Sequence, residues 1–144
     1  MNRKAKGSQA ERDLVNFFNE NGWCCIRVAG SGSSKYPCPD LICAKNSSNM
    51  AIECKVSINP YKYFTKKEIH ELDYFAKHMG AKSLVALKHK GKWSFLETLY
   101  LTDTGKNYRF CLEDHKNKLI TKNNLIDYSQ EINTNETFKN IKSY

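Results

Sequence analysis

No run in this chain approaches the roughly 18 to 20 uninterrupted apolar residues that a membrane-spanning helix requires. The opening Met1-Asn-Arg-Lys-Ala-Lys6 carries charge with no apolar signal core behind it. A cytosol-like compartment and no membrane contact are therefore expected. The six cysteines, at 24, 25, 38, 43, 54 and 111, form no CxxC pair, and no histidine stands at zinc-finger spacing. This speaks against a disulfide framework and a structural zinc, and leaves reduced thiols that are mostly buried. The histidines at 70, 78, 89 and 115 show neither an HExxH pattern nor a triad context, and are read as structural, with His70 and His78 on the wet or boundary side of a helix. Internal repeats and low-complexity tracts are absent. Acidic residues are scarce where basic ones are dense: residues 1–92 hold 16 Lys/Arg against 8 Asp/Glu, whereas residues 93–144 hold 7 of each, so the whole excess of +8 lies in the first two thirds. Such an excess favours a polyanionic partner, because neutralising phosphates releases condensed counterions.

What is present suits a single domain: 144 residues, 40% of them apolar. We read one domain over 1–132 and a C-terminal tail, Asn133 to Tyr144, prone to fraying. From Lys6 to Asn21, the residues Ala10, Leu14, Phe17 and Phe18 recur at helical spacing, with Ser8 and Glu11 placed as a capping box and Asn21-Gly22 as a stop. Trp23 to Val28 reads as a strand that runs into a Gly-, Ser- and Pro-rich loop, 30–39. Two short apolar runs, 40–44 and 50–56, flank Lys45-Asn-Ser-Ser-Asn49, which has hairpin chemistry. Thr65 and Glu68 form a second capping box, followed by the apolar stripe Ile69, Leu72, Phe75, Ala76 and Met79 and a stop at Gly80. Ser83 to Lys88 reads as a buried strand, His89 to Lys92 as a turn and Trp93 to Leu96 as the next strand. The order αβββαββ predicts an α/β fold, a mixed sheet with helices packed on it. Further on, Glu97–Leu101 and Tyr108–Leu112 read as strand or helix edge, and Leu119–Ile132 as a terminal helix.

The chemistry gathers around Pro39-Asp40 and, after twelve intervening residues, Glu53-Cys54-Lys55. Side chains alternate along a strand, so Glu53 and Lys55 share one face while Ile52, Cys54 and Val56 take the other, where they can enter the core. If Asp40 joins Glu53 and Lys55 across the hairpin, two hard oxygen ligands and one cation converge, as a Mg²⁺ site for phosphodiester hydrolysis requires. Register decides this. A five-residue loop pairing Ala44 with Met50 places Asp40 opposite Cys54, on the wrong face; a four- or six-residue loop, or a bulge, places it opposite Glu53 or Lys55. One of these irregularities is expected. The competing reading is an exposed hairpin with a Glu–Lys pair on its wet face.

Four separated segments occur in order: Lys6-Gly-Ser-Gln-Ala-Glu11-Arg12, Arg27-Val-Ala-Gly-Ser31-Gly-Ser33-Ser34, Pro37-Cys-Pro-Asp40 and Ile52-Glu53-Cys-Lys55. Together they resemble the archaeal-type Holliday junction resolvases, the Hjc branch of the PD-(D/E)xK nucleases, over about Lys6 to Phe95. The resemblance implies a restriction-endonuclease-like fold and a metal-dependent endonuclease that cuts four-way DNA junctions as a homodimer in recombination and repair, in the cytoplasm beside the nucleoid. It implies a functional set of Glu11, Ser31, Asp40, Glu53 and Lys55. Asp40 and Glu53 would hold Mg²⁺, with Mn²⁺ expected to substitute and the Cys54 carbonyl as a backbone ligand. Lys55 would orient the attacking water or stabilise charge on the phosphorus. Glu11 would reach the metal through water or help place a second ion, and Arg12 would sit near the phosphate. From the residues alone, Glu11 is equally a capping residue, and Ser31 and Ser33 are equally loop hydroxyls.

The expected DNA-binding surface comprises Lys4, Lys6, Arg12, Arg27, Ser33, Lys35, Lys62, Lys66 and Lys67, with Lys88, Lys90 and Lys92 added to it. Tyr61 and Tyr63 are candidates for base stacking or a subunit interface, and Phe64 for the core. Two rival functions remain at this stage: another nuclease on the same core, and a branched-DNA-binding module without turnover.

Overall fold

The computed structural model describes residues 2–127. Helix α1 (Arg3–Glu20) starts earlier than expected: Asn2 is its N-cap, accepting the Ala5 N–H on Oδ1 at 2.8 Å. The expected capping box of Ser8 and Glu11 does not form, because both residues lie inside the helix and are recruited by Arg27. The stop holds, with Asn21 as C-cap and Gly22 at φ +85°, the left-handed region that suits glycine.

Strands β1 (Cys24–Arg27), β2 (Leu41–Lys45) and β3 (Ser48–Val56) form an antiparallel meander. The β2–β3 connection is tighter than the sequence suggested. Lys45 pairs with Ser48, leaving only Asn46 and Ser47 in the turn, both at positive φ (+48° and +68°), as a hairpin turn matched to strand twist demands. One rung further, Ala44 faces Asn49, which is the pairing across four residues that the sequence allowed. Next come β4 (Tyr61–Thr65), α2 (Lys66–Met79), β5 (Lys82–His89) and β6 (Lys92–Glu97), then β7 (Thr102–Asp103), β8 (Asn107–Cys111) and β9 (Ile120–Thr121). Strand β3 runs parallel to β5, and α2 lies in the connection between them, as a parallel pair requires. The main sheet has the order β1-β2-β3-β5-β6-β9; a second, small sheet has the order β4-β8-β7. The capping box at Thr65 and Glu68 is fully formed, and Gly80 ends α2 in the left-handed region.

The two helices cover opposite faces of the main sheet. Leu14 and Phe18 of α1 pack with Trp23, Leu41, Met50, Ile52, Leu84 and Phe95. Ile69, Leu72 and Ala76 of α2 pack with Ala51, Phe64, Val85, Leu87, Leu96 and Phe110. With both faces covered, β5 and the first half of β3 carry unbroken apolar runs, Leu84–Leu87 and Met50–Ile52, rather than alternating ones. Three sequence expectations need correction here. Val56 does not enter the core but is 42% exposed at the end of β3. Leu119–Ile132 does not begin as a helix: Ile120 and Thr121 extend the sheet beside β6, and helix follows at 122–127, with Leu125 buried against the α1 layer. Strand β4 was not anticipated at all. The remainder of that terminal helix and the tail from Asn133 lie outside the described residues. Of the six cysteines, all free thiols, Cys25, Cys43 and Cys54 are buried and Cys24 is exposed. His115 bonds the Cys111 backbone, in keeping with its structural reading, and His70 and His78 are exposed.

Phe18 is fully buried and meets the rings of Phe17, Trp23 and Phe95. Phe18→Ala is expected to cost about 3–5 kcal/mol, read as a lowered urea midpoint at unchanged slope.

Candidate active site

The β2–β3 register carries the site. Leu41 faces Ile52, so the next pair, Asp40 and Glu53, stand opposite each other and point to one side of the sheet. That side is the α2 face, since Ala51 on the same edge of the β3 pleat packs under α2, while Met50, Ile52 and Cys54 pack under α1. Asp40 is held on both oxygens: Ser31 Oγ donates to Oδ1 at 2.7 Å and the Cys54 N–H donates to Oδ2 at 2.8 Å. Its own carbonyl accepts from Val28 N–H at 2.9 Å, which ties the 30–39 loop back to the end of β1. Within that loop, Ser31–Ser33 form one turn of 3₁₀ helix after Gly30 at φ +72°, and this turn presents Ser31 to Asp40.

Glu53 is half-buried on β3. Burial, a hydrogen bond to Asp40 and the charge of Asp40 push its carboxyl up to about 10, against the partial relief given by Lys55. Around neutrality Glu53 is thus protonated and donates to the Asp40 carboxylate. Glu11 is also raised, first by burial and then by Asp40, although Arg27 and Arg12 pull the other way. Its carboxylate accepts from Arg27 Nε at 2.7 Å, and the same guanidinium donates to Ser8 Oγ at 2.9 Å. Lys55 sits beside the acidic pair with its Nζ 3.0 Å from Glu68 Oε1. Burial disfavours its ammonium, but Glu68, and then Glu53 and Asp40, outweigh that and hold it above its ordinary value.

Three carboxylates therefore sense one another at the C-terminal end of β3, and the proton held on Glu53 marks an excess of negative charge that a cation would relieve. Among the described residues, no three His, Cys, Asp or Glu side chains close into a cage for an ion. The Asp40–Glu53 pair is the tight element, and one or two carboxylates with retained waters is the usual protein share of a Mg²⁺ shell. On this donor set a hard divalent cation fits.

A model of the family described as archaeal Holliday junction resolvase (Hjc) matches residues 2–133. The chain belongs to this family. It is 39% identical over 107 residues to the crossover junction endodeoxyribonuclease Hjc of Archaeoglobus fulgidus, covering 74% of this chain and 79% of that one. To the Hjc of Methanocaldococcus jannaschii it is 34% identical over 103 residues, 72% of this chain and 74% of the other. The solved structure of the A. fulgidus Hjc, titled a Holliday junction resolvase from an archaeal hyperthermophile, superposes with a TM-score of 0.71 at 35% identity. That superposition covers 76% of this chain and 90% of the other. The mixed sheet flanked by helices is thus the fold of this resolvase family.

Within that fold, Glu11, Ser31 and Glu53 each interact with Asp40, and Lys55 lies alongside. The surface residues divide. Lys4, Lys6, Arg12, Ser33, Lys35 and Lys67 are exposed, as a phosphate-facing role needs, and Lys62 is half-buried. Arg27 departs from the expectation: it turns inward and its fork is occupied by Glu11 and Ser8. Lys66 is drawn onto Asp103 and over the Tyr108 ring. Tyr61 and Tyr63 are exposed and meet edge to face, while Phe64 is fully buried. Two partners escaped the sequence reading. Ser8 supports Arg27, and Glu68, read only as a helix cap, also grips Lys55. The only advance signal for Glu68 was its place at the start of the helix that must cross over β3.

A carboxyl whose folded value lies near 10 against an ordinary 4.5 keeps a proton that the unfolded chain releases. The metal-free protein is therefore expected to lose stability as pH climbs through that window. Glu53→Gln, which keeps a neutral donor toward Asp40, should flatten this decline and raise the melting temperature at pH 8 by about 3–6 °C. Thermal melts of both proteins in chelator across pH 5–9 provide the measurement, and parallel curves would contradict the assignment.

Proposed function

We propose that this protein is a divalent-metal-dependent endonuclease that resolves four-way DNA junctions by phosphodiester hydrolysis, with Mg²⁺ as the ion and Mn²⁺ able to replace it. The observation that carries the reading is the Asp40–Glu53 pair, set opposite by the β2–β3 register and flanked by the Lys55 ammonium. Asp40 and Glu53 would hold the ion, with the Cys54 carbonyl as a further ligand and Glu11 acting through water. A bound divalent ion supplies a lowered pKa for its water and neutralises charge on the phosphoryl oxygens.

The chain's own groups do the rest. To hold an ion, Glu53 would have to be ionised, its proton passing to solvent. Asp40 is kept in place by Ser31 and the Cys54 N–H, so its geometry is set before substrate arrives. The Lys55 ammonium lies beside the same pair and would offset negative charge that develops on phosphorus, and Ser31, if its one hydroxyl proton turned from Asp40, would donate to the scissile phosphate. Exposed Lys4, Lys6, Arg12, Lys35 and Lys67 serve the phosphates of the arms. Action on DNA would put the protein in the cytoplasm with the nucleoid. A four-way junction has two-fold symmetry and needs two cuts, which a symmetric homodimer with two such sites meets.

A synthetic four-way junction and a linear duplex of the same sequence, each with and without Mg²⁺, form the test. The junction is expected to be cut only with the metal and far faster than the duplex. Glu53→Ala and Lys55→Ala should each slow cleavage at least about 100-fold while binding the junction normally in chelator. Equal cutting of duplex and junction would leave a general nuclease, and undiminished cleavage by Glu53→Ala would remove the site altogether.

A further inference from the structure

The catalytic lysine does not stand by itself. Lys55 is the penultimate residue of β3, and its Nζ lies 3.0 Å from Glu68 Oε1 in the first turn of α2. The second oxygen of the same carboxylate, Oε2, accepts the Thr65 N–H at 2.9 Å, and the Glu68 N–H donates to Thr65 Oγ1 at 3.0 Å. Both oxygens are thus used, and the carboxylate cannot rotate toward or away from the lysine without giving up the helix cap. A capping box needs only one of these oxygens. The other is aimed at Lys55.

The neighbours of Glu68 leave this task to it. Lys66 turns to Asp103 and Lys67 to Glu71, and Glu68 is the acidic residue of the α2 first turn. The lysine also lies over Phe64, its Nζ 5.8 Å from the ring centroid, and Phe64 is fully buried one residue before the cap. Phe64 and Glu68, the latter held through its second oxygen by the Thr65 backbone N–H, therefore form a socket at the β4–α2 junction that restricts a side chain otherwise free about four bonds. A long side chain loses rotamer freedom when it is fixed, and a socket that fixes it beforehand removes that cost from the reaction.

We propose that Glu68 is a positioning residue for cleavage, whose carboxylate, locked by the start of α2, holds the Lys55 ammonium beside the Asp40–Glu53 pair. This rests on the reading of Lys55 as a catalytic residue. Glu68→Gln separates the two duties of the side chain. Gln is accepted at this position of a capping box, yet with its carbonyl on the Thr65 N–H it turns an uncharged NH₂ donor, in place of a carboxylate oxygen, toward the Lys55 ammonium. Thr65→Ala does the converse, weakening the cap while leaving the carboxylate facing the lysine.

Single-turnover cleavage of a four-way junction at saturating Mg²⁺, junction affinity in chelator and thermal melts should be measured for both variants, for Lys55→Ala and for Lys55→Ala/Glu68→Gln. We expect Glu68→Gln to slow cleavage about 10- to 100-fold, with affinity within about two-fold of wild type. Thr65→Ala should lower the melting temperature at least as far and slow cleavage less than about three-fold. The double variant should be no slower than Lys55→Ala alone, because the glutamate acts through the lysine. Cleavage by Glu68→Gln within about two-fold of wild type, or an equal rate loss in Thr65→Ala, overturns the proposal while a dead Lys55→Ala keeps the reading of the lysine. Undiminished cleavage by Lys55→Ala removes both.

Discussion

Two carboxyl groups on neighbouring strands, forced to face one another and holding one proton between them, set the terms for everything around them. Asp40 and Glu53 meet because β2 and β3 pair in one register and no other, and that register follows from a two-residue turn at Asn46 and Ser47. Bringing like charges together in a half-buried place is unfavourable, and the surrounding residues are arranged around that cost. Ser31 and the Cys54 N–H satisfy Asp40, Arg27 faces Glu11, and Lys55 supplies a positive charge on the next outward-facing position of the same strand. The arrangement is one that is completed, rather than disturbed, by a divalent ion and a phosphate.

The charged residues behind this pair recruit the helices. Arg27 reaches from β1 to both Glu11 and Ser8 on α1, and Lys55 reaches from β3 to Glu68 on α2. Each helix thus packs its apolar stripe on one face of the sheet and lends a carboxylate to the polar end. Neither ion pair is wholly buried, so neither adds much to stability in its own right; what each fixes is orientation. This division between apolar rows that stabilise and charged ends that act is what lets one small domain carry a strained polar site.

What the sequence made legible was local or periodic. The box at Thr65 and Glu68 could be read because its partners are three residues apart, and the stripe of α2 because helical spacing repeats. The hairpin parity followed from alternation alone. Strand β4 escaped because its partner, β8, is more than forty residues away, so nothing near Tyr61–Thr65 announces a sheet. The start of α1 was misjudged for a related reason: Ser8 and Glu11 have the pattern of a cap, but Arg27, brought in by the fold, claims both. At the site, Asp40, Glu53 and Lys55 were visible as a motif, and Glu68 was seen only in its local role, since a contact between β3 and α2 exists only after the chain has folded.

The hairpin also limits how this molecule can vary over generations. Strand β3 is clasped on its far side by β5, so any change in the length of the Asn46-Ser47 bend must be absorbed by β2. A slip of β2 along β3 by an odd number of residues would turn Asp40 from one side of the ribbon to the other, about 20 Å from the bend, and would carry Leu41 and Cys43 out of the α1 layer with it. An even slip would keep the sidedness. Lineages should therefore keep this pairing free of odd shifts, a parity rule enforced by chemistry that the bend itself never touches.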